Sequence, residues 1–139
     1  MRRAILDTGP LVSYMIREDE YHSWATAVLG RYVPPILTCE VVPAEACRLF
    51  RGVPRGANEV LRPVSTGWLK ISFSLGQHSA GLERMIAQYH DVPMSLADTC
   101  LVRVSELFPG ADVLTLDSDF LVCRTLSRKV VPTVMPPRT

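Results

Sequence analysis

The sequence predicts an α/β domain with a central, mainly parallel sheet covered by helices on both faces. Three observations lead there. Short, largely apolar runs such as Ala4-Ile5-Leu6 and Val113-Leu114-Thr115-Leu116 read as strands buried on both sides. Segments with helical spacing of apolar residues alternate with these runs, as parallel sheets require. The chain has 139 residues, 47% of them hydrophobic, which suits one ordinary domain with a real core and excludes wholesale disorder. No repeat, low-complexity tract or linker interrupts it, so residues 1–139 are expected to form a single domain.

The elements follow in order. Ala4–Leu6 is the first strand, broken by Asp7-Thr8-Gly9-Pro10. Pro10 suits the first turn of a helix, and Leu11, Val12, Tyr14 and Met15 continue it. After the polar turn Glu18-Asp19-Glu20, a second helix is expected from Tyr21 to Leu29, with Trp24, Ala27 and Val28 on one side. Tyr32–Leu37 holds Pro34-Pro35 and a very short apolar stretch. Thr38 is a candidate cap for the next helix, where Val42, Glu45, Ala46 and Leu49 share a face. Pro43 lacks a backbone N–H, so that helix should start late or distort its first turn. Gly52–Gly56 is a loop and Asn58–Ser65 a short helix. Leu69–Phe73 alternates apolar and polar residues, as an edge strand does. Leu82, Met85, Ile86 and Tyr89 form a helical stripe. Ser95 caps a helix carrying Ala97, Cys100, Leu101, Val104 and Phe108, which Pro109-Gly110 ends. After the strand Val113–Leu116, Asp117 opens a helical turn with Phe120, Leu121 and Leu126. Val130, Val131 and Val134 give a last strand, and 136–139 a tail.

Composition narrows the function. The net charge of +1 excludes a broad, strongly basic nucleic-acid surface but permits a local one. Lys70 and Lys129 are the only lysines; the other positive charges are arginines, whose planar fork matches phosphate oxygens and equally serves solubility. Cys39, Cys47, Cys100 and Cys123 show no C-x-x-C or His pairing, which argues against zinc or a disulfide framework and for small core residues in a reducing compartment. No signal peptide is visible and no apolar stretch approaches the roughly 20 residues of a membrane span. A soluble, cytoplasmic protein is expected.

Five carboxylates stand out. Asp7 closes the first strand, Glu45 interrupts an apolar helix face, Asp98 lies in a first helical turn, and Asp117 and Asp119 follow a late strand. A charge near the core is costly unless it is paired or coordinates a metal. Ligands of open parallel sheets bind beyond the carboxyl ends of the strands, where strand order reverses. If the strands before Asp7 and Asp117 are neighbours, both carboxylates face that crevice, and Asp98 and Glu45 can reach it. Such a cluster suits Mg²⁺ or Mn²⁺ and metal-assisted phosphodiester hydrolysis. Each residue also has a plainer role: Asp7 as a helix cap, Asp98 at a helix dipole, Asp117 and Asp119 in a turn, and Glu45 paired with Arg48.

The order of these residues resembles the PIN-domain family, and within it the toxin ribonucleases of VapBC toxin–antitoxin systems. The resemblance is carried by Ile5-Leu6-Asp7-Thr8-Gly9-Pro10-Leu11-Val12, Asp19 and His22, Thr38 to Ala46, Leu96-Ala97-Asp98-Thr99, and Leu114-Thr115-Leu116-Asp117-Ser118-Asp119-Phe120. It implies a PIN-like α/β/α sandwich and a Mg²⁺- or Mn²⁺-dependent RNase site of Asp7, Glu45, Asp98 and Asp117. Asp7, Asp98 and Asp117 would hold metal, with Asp119 auxiliary, and Glu45 would orient a water. Thr115 would hydrogen-bond within the site or simply fill the strand, and His22 would be a cap or surface residue. The resemblance further implies an RNA substrate, a small antitoxin inserting a basic segment near the crevice, and a homodimer. The sequence departs from the family pattern at Gly9-Pro10, where many members carry Asn, and at Pro43, which threatens the placement of Glu45 and makes Glu40 its substitute. Arg48, Arg51 and Arg55 are the candidate phosphate contacts.

Two competing readings are an RNA-binding or scaffold protein with a silent site, and a phosphoacceptor receiver domain. The latter needs adjacent acidic residues after the first strand and a lysine after a late one. Asp7 stands alone, and Lys129 precedes its strand.

Overall fold

The computed structural model describes residues 2–137, so the tail residues Arg138 and Thr139 lie outside the described residues. Five short strands form one sheet: β1 (Ala4–Leu6), β2 (Ile36–Thr38), β3 (Leu69–Ile71), β4 (Asp112–Leu114) and β5 (Thr133–Val134). Their order is β3-β2-β1-β4-β5 and every pairing is parallel. Ile5 stands opposite Leu37 on one side and Val113 on the other. The fully buried residues of β1 and β2 match the continuous burial expected of central strands. β3 lies at the edge, where Leu69 is buried and Lys70 exposed, as its alternation predicts.

Six helices connect the strands among the described residues: α1 (Thr8–Met15), α2 (His22–Leu29), α3 (Val41–Leu49), α4 (Gly56–Ser65), α5 (Leu75–Gln88) and α6 (Leu96–Leu107). The chain crosses from β1 through β2 to β3 and then back to β4, always between parallel strands. Such crossovers are right-handed as a rule, and by that rule α1–α4 fall on one face and α5–α6 on the other. The packing agrees, with α1 against α2 and α3, α3 against α4, and α5 against α6. The core between these layers is built on Ile5, Leu6, Leu37, Leu114, Leu101 and Met85.

Several sequence expectations are corrected. Thr38 does not cap α3. It is a fully buried strand residue whose Oγ1 donates to the Leu6 carbonyl at 2.7 Å, a cross-strand bond that satisfies its hydroxyl inside the sheet. Its neighbour Glu40 stands at the cap position in helical backbone and makes no capping bond there. The helix starts at Val41, which leaves Pro43 in the first turn, where a missing N–H deprives no carbonyl of its partner. Leu49, expected on the inner face, is 55% exposed, and Phe50 is buried in its place. Ala27 and Ile86 also fall outside the buried arcs of their helices. α4 begins two residues early, at Gly56, because Arg55 adopts a left-handed φ of 56°. A Cβ at position 56 would lie 2.3 Å from the Phe50 carbonyl oxygen, so only glycine fits that approach. β4 ends at Leu114, and the last strand is Thr133–Val134; Val130 forms only an isolated antiparallel bridge with Arg124.

Candidate active site

The strand order reverses between β1 and β4, the one neighbouring pair from which the chain departs in opposite directions. Asp7 follows β1 directly, and its backbone N–H donates to the Leu114 carbonyl at 3.0 Å, so it is tied to the end of β4. Its side chain caps α1: Oδ1 accepts from the Thr8 backbone N–H at 2.8 Å. Oδ2 accepts from Thr115 Oγ1 at 2.7 Å, and the Thr115 hydroxyl accepts in turn from the Asp117 N–H at 3.0 Å. Thr115 is therefore both a fully buried residue and a working link between the two strand ends. Asp7 is 8% exposed. Burial pushes its carboxyl up to about 6, against the pull of the Thr115 and Thr8 hydrogen bonds, and the charges of Asp98 and Glu45 push the same way.

Asp98 arrives from α6 by a different local rule. Ser95 and Asp98 form a reciprocal capping box: the Asp98 N–H donates to Ser95 Oγ at 3.0 Å, and Asp98 Oδ2 accepts from the Ser95 N–H at 3.0 Å. Asp98 does stand in the first helical turn, where the dipole favours it, yet the same residue is 6% exposed and lines the cavity. Burial raises its carboxyl above the ordinary range despite the Ser95 bonds, and Asp117 and Asp119 add to the rise. Asp117 is exposed and begins the 3₁₀ turn Ser118–Val122, with Oδ1 accepting from the Asp119 N–H at 2.9 Å. Glu45, half-buried on α3, accepts from Thr8 Oγ1 at 3.2 Å rather than pairing with Arg48.

Asp7, Glu45, Asp98 and Asp117 line one cavity of about 300 Å³, with Thr8, Ser95 and Leu116 among its walls. A larger hollow of about 650 Å³ lies near Arg2, Arg3 and Phe108, at the opposite pole of the sheet. Asp119 is exposed and outside the cavity wall, and its charge adds to the rise of the Asp98 carboxyl. Gly9 also borders the cavity; a Cβ there would meet Leu116 at 3.2 Å, so the glycine leaves that wall to Leu116. Thr8 is the residue that the sequence reading overlooked. Its signal was its place directly after Asp7, at the first position of a helix.

The other candidates lie elsewhere. Glu40 Oε1 accepts from the Leu75 N–H at 2.8 Å and so ties the start of α5. Asp19 and His22 brace the α1–α2 corner: Asp19 Oδ2 accepts from Ser13 Oγ at 2.7 Å, and His22 Nδ1 donates to the Ser13 carbonyl at 2.8 Å. Arg48, Arg51 and Arg55 are exposed at the far end of α3 and the loop beyond it. The four cysteines are free thiols, three of them buried. No helix among the described residues is long and apolar enough to cross a membrane.

Among the described residues, no three carboxylate, imidazole or thiol groups converge as a ready-made metal cage. The donor set nonetheless fits a hard divalent cation. Its side-chain donors are oxygens, and its two buried carboxyls are pushed towards protonation by desolvation and by nearby carboxylates, Asp98 and Glu45 on Asp7 and Asp117 and Asp119 on Asp98. Mg²⁺ keeps several waters and needs only one or two carboxylates, so a closed cage is not required.

No family model matches this sequence, and no curated protein does. Among solved structures the chain is similar to Mycobacterium tuberculosis VapC20, a sarcin-ricin loop cleaving toxin. The match has a TM-score of 0.74 at 15% identity, covering 84% of this chain and 91% of that one. The parallel five-stranded sheet between helical layers is therefore a PIN-like fold, the architecture this chain shares with a VapC toxin.

Proposed function

We propose that this chain is a Mg²⁺- or Mn²⁺-dependent endoribonuclease of the PIN-domain family, acting as the toxin of a VapBC-type pair. One observation carries the reading: four carboxylates from four separate elements meet in one cavity at the strand-order reversal of a PIN-like sheet. The likeness to VapC20 supports it.

In this reading Asp7, Asp98 and Asp117 hold the cation, with Asp119 adding negative charge from outside the cavity. A bound cation supplies Lewis acidity, neutralising charge on the phosphate and making water more acidic. Asp7 is fixed by Thr8 and Thr115, so its carboxylate needs no reorganisation when RNA arrives. Glu45 orients the attacking water for in-line displacement. Arg48, Arg51 and Arg55 hold flanking phosphates of single-stranded RNA. A small antitoxin presenting a basic segment would be complementary to the acidic cavity, and two copies would associate as a dimer in the cytoplasm.

The test is Asp98→Asn assayed on single-stranded RNA with Mg²⁺ or Mn²⁺. Cleavage should fall by roughly 100-fold or more. Undiminished, metal-independent cleavage by the variant would sink the reading. A silent scaffold on the same fold would instead show neither cleavage nor a Mn²⁺-dependent rise in Tm.

A further inference from the structure

Thr8 spends both of its donors on carboxylates. Its backbone N–H donates to Asp7 Oδ1 at 2.8 Å, and its hydroxyl donates to Glu45 Oε2 at 3.2 Å. The residue is 7% exposed, starts α1, and lines the same cavity as the two groups it binds.

Glu45 has few other restraints. Among the described residues it makes no ion pair, and the Thr8 hydroxyl is its one hydrogen-bond donor. A glutamate side chain is long and loses considerable rotamer freedom when fixed. It also faces the like charge of Asp7, which would drive it away from the cavity. α1 and α3 pack together, so a single hydroxyl on α1 can hold a side chain that comes from α3.

We propose that Thr8 is a positioning residue for RNA cleavage, holding Glu45 on the cavity wall in the orientation the attacking water needs. The proposal rests on the nuclease reading above. It separates the hydroxyl of Thr8 from its backbone: the N–H serves Asp7 whatever the side chain, and the Oγ1 serves Glu45.

Thr8→Val removes the hydroxyl and keeps the branched shape, and Thr8→Ser keeps the hydroxyl. The expected result is a kcat for T8V lowered by roughly 10- to 100-fold with KM little changed, because a misplaced group costs rate rather than binding. T8S should recover most of the rate. In a Glu45→Ala background T8V should cost nothing further, since no carboxylate is left there for the hydroxyl to hold. The midpoint of the Mn²⁺-induced rise in Tm should be the same for T8V and wild type, as Asp7, Asp98 and Asp117 keep their donors.

T8V cleaving like the wild type would overturn the proposal. So would an equal loss with or without Glu45, or loss of the Mn²⁺ response together with activity, which would mark a general collapse of the site. A wild-type protein that cleaves no RNA at any Mg²⁺ or Mn²⁺ concentration would instead bring down the nuclease reading, and the proposal with it.

Discussion

Asp7 is a carboxyl group that folding has made reluctant to ionise. The unfolded chain releases its proton near 3.8, whereas the folded chain holds it up to about 6. The folded state therefore binds more protons than the unfolded one across that interval, and stability falls as pH rises through it. The penalty at neutral pH is on the order of 3 kcal/mol without a cation. Asp7→Asn removes the charge and keeps the bonding: an amide oxygen can accept from the Thr8 N–H, and the amide N–H₂ can donate to Thr115 Oγ1. Metal-free D7N should melt close to wild type at pH 4 and several degrees above it at pH 7.5, while losing RNA cleavage. Calorimetry at the two pH values checks this. A D7N protein equally destabilised at both would show that the charge at position 7 carries no folding cost.

The helices place the remaining site residues through their ends rather than their faces. α6 presents Asp98 because the Ser95 capping box fixes its first turn. Ser95→Ala removes the hydroxyl half of that box and should lower stability by about 1 kcal/mol in urea unfolding. It should also weaken Mn²⁺ binding, because the Asp98 backbone loses its partner; an unchanged Mn²⁺ response would show that the box serves folding only. α3 presents Glu45 because the helix begins just ahead of Pro43 and absorbs it in the first turn. α4 begins at Gly56, pressed against the Phe50 carbonyl, after Arg55 has turned the chain with a positive φ. Gly56→Ala should cost about 1–3 kcal/mol, as an overpacked backbone contact does. The urea midpoint of that variant reports the cost, and a shift within error of wild type would contradict the tight approach.

At the scale of the whole molecule the sheet has two unlike poles. Beyond the carboxyl ends of its strands lie the buried carboxylates, which lack a cationic partner among the described residues. At the other end Asp112 is held below its ordinary range by Arg2, with Tyr32 OH donating to it at 2.9 Å. In the proposed function one pole takes an ion from outside, whereas the other is satisfied from within. Asp112→Asn should therefore lower Tm yet leave RNA cleavage and the Mn²⁺ response as in wild type. Divalent cations should raise the Tm of wild type by mass action, increasingly as pH rises through about 6, where Asp7 loses its proton. A Mn²⁺ effect that followed Asp112 rather than Asp98 would reverse the assignment of the poles.

The sequence by itself determined the alternation of strands and helices, the position of β1, the Ser95 cap and the candidate carboxylates. These are local matters of apolar period, turn chemistry and misplaced charge, written within a few residues of one another. Thr38 and Leu49 went the other way: neither the inter-strand bond of one nor the exposure of the other can be read without the neighbouring element. Only the tertiary structure decided that β1 and β4 adjoin, that Thr115 and Thr8 knit the carboxylates together, and that Asp119 stands outside the cavity. The Asp7–Thr115 contact spans 108 residues. A hydrogen bond of that range depends on strand order, which hydrophobic pattern leaves open and packing fixes.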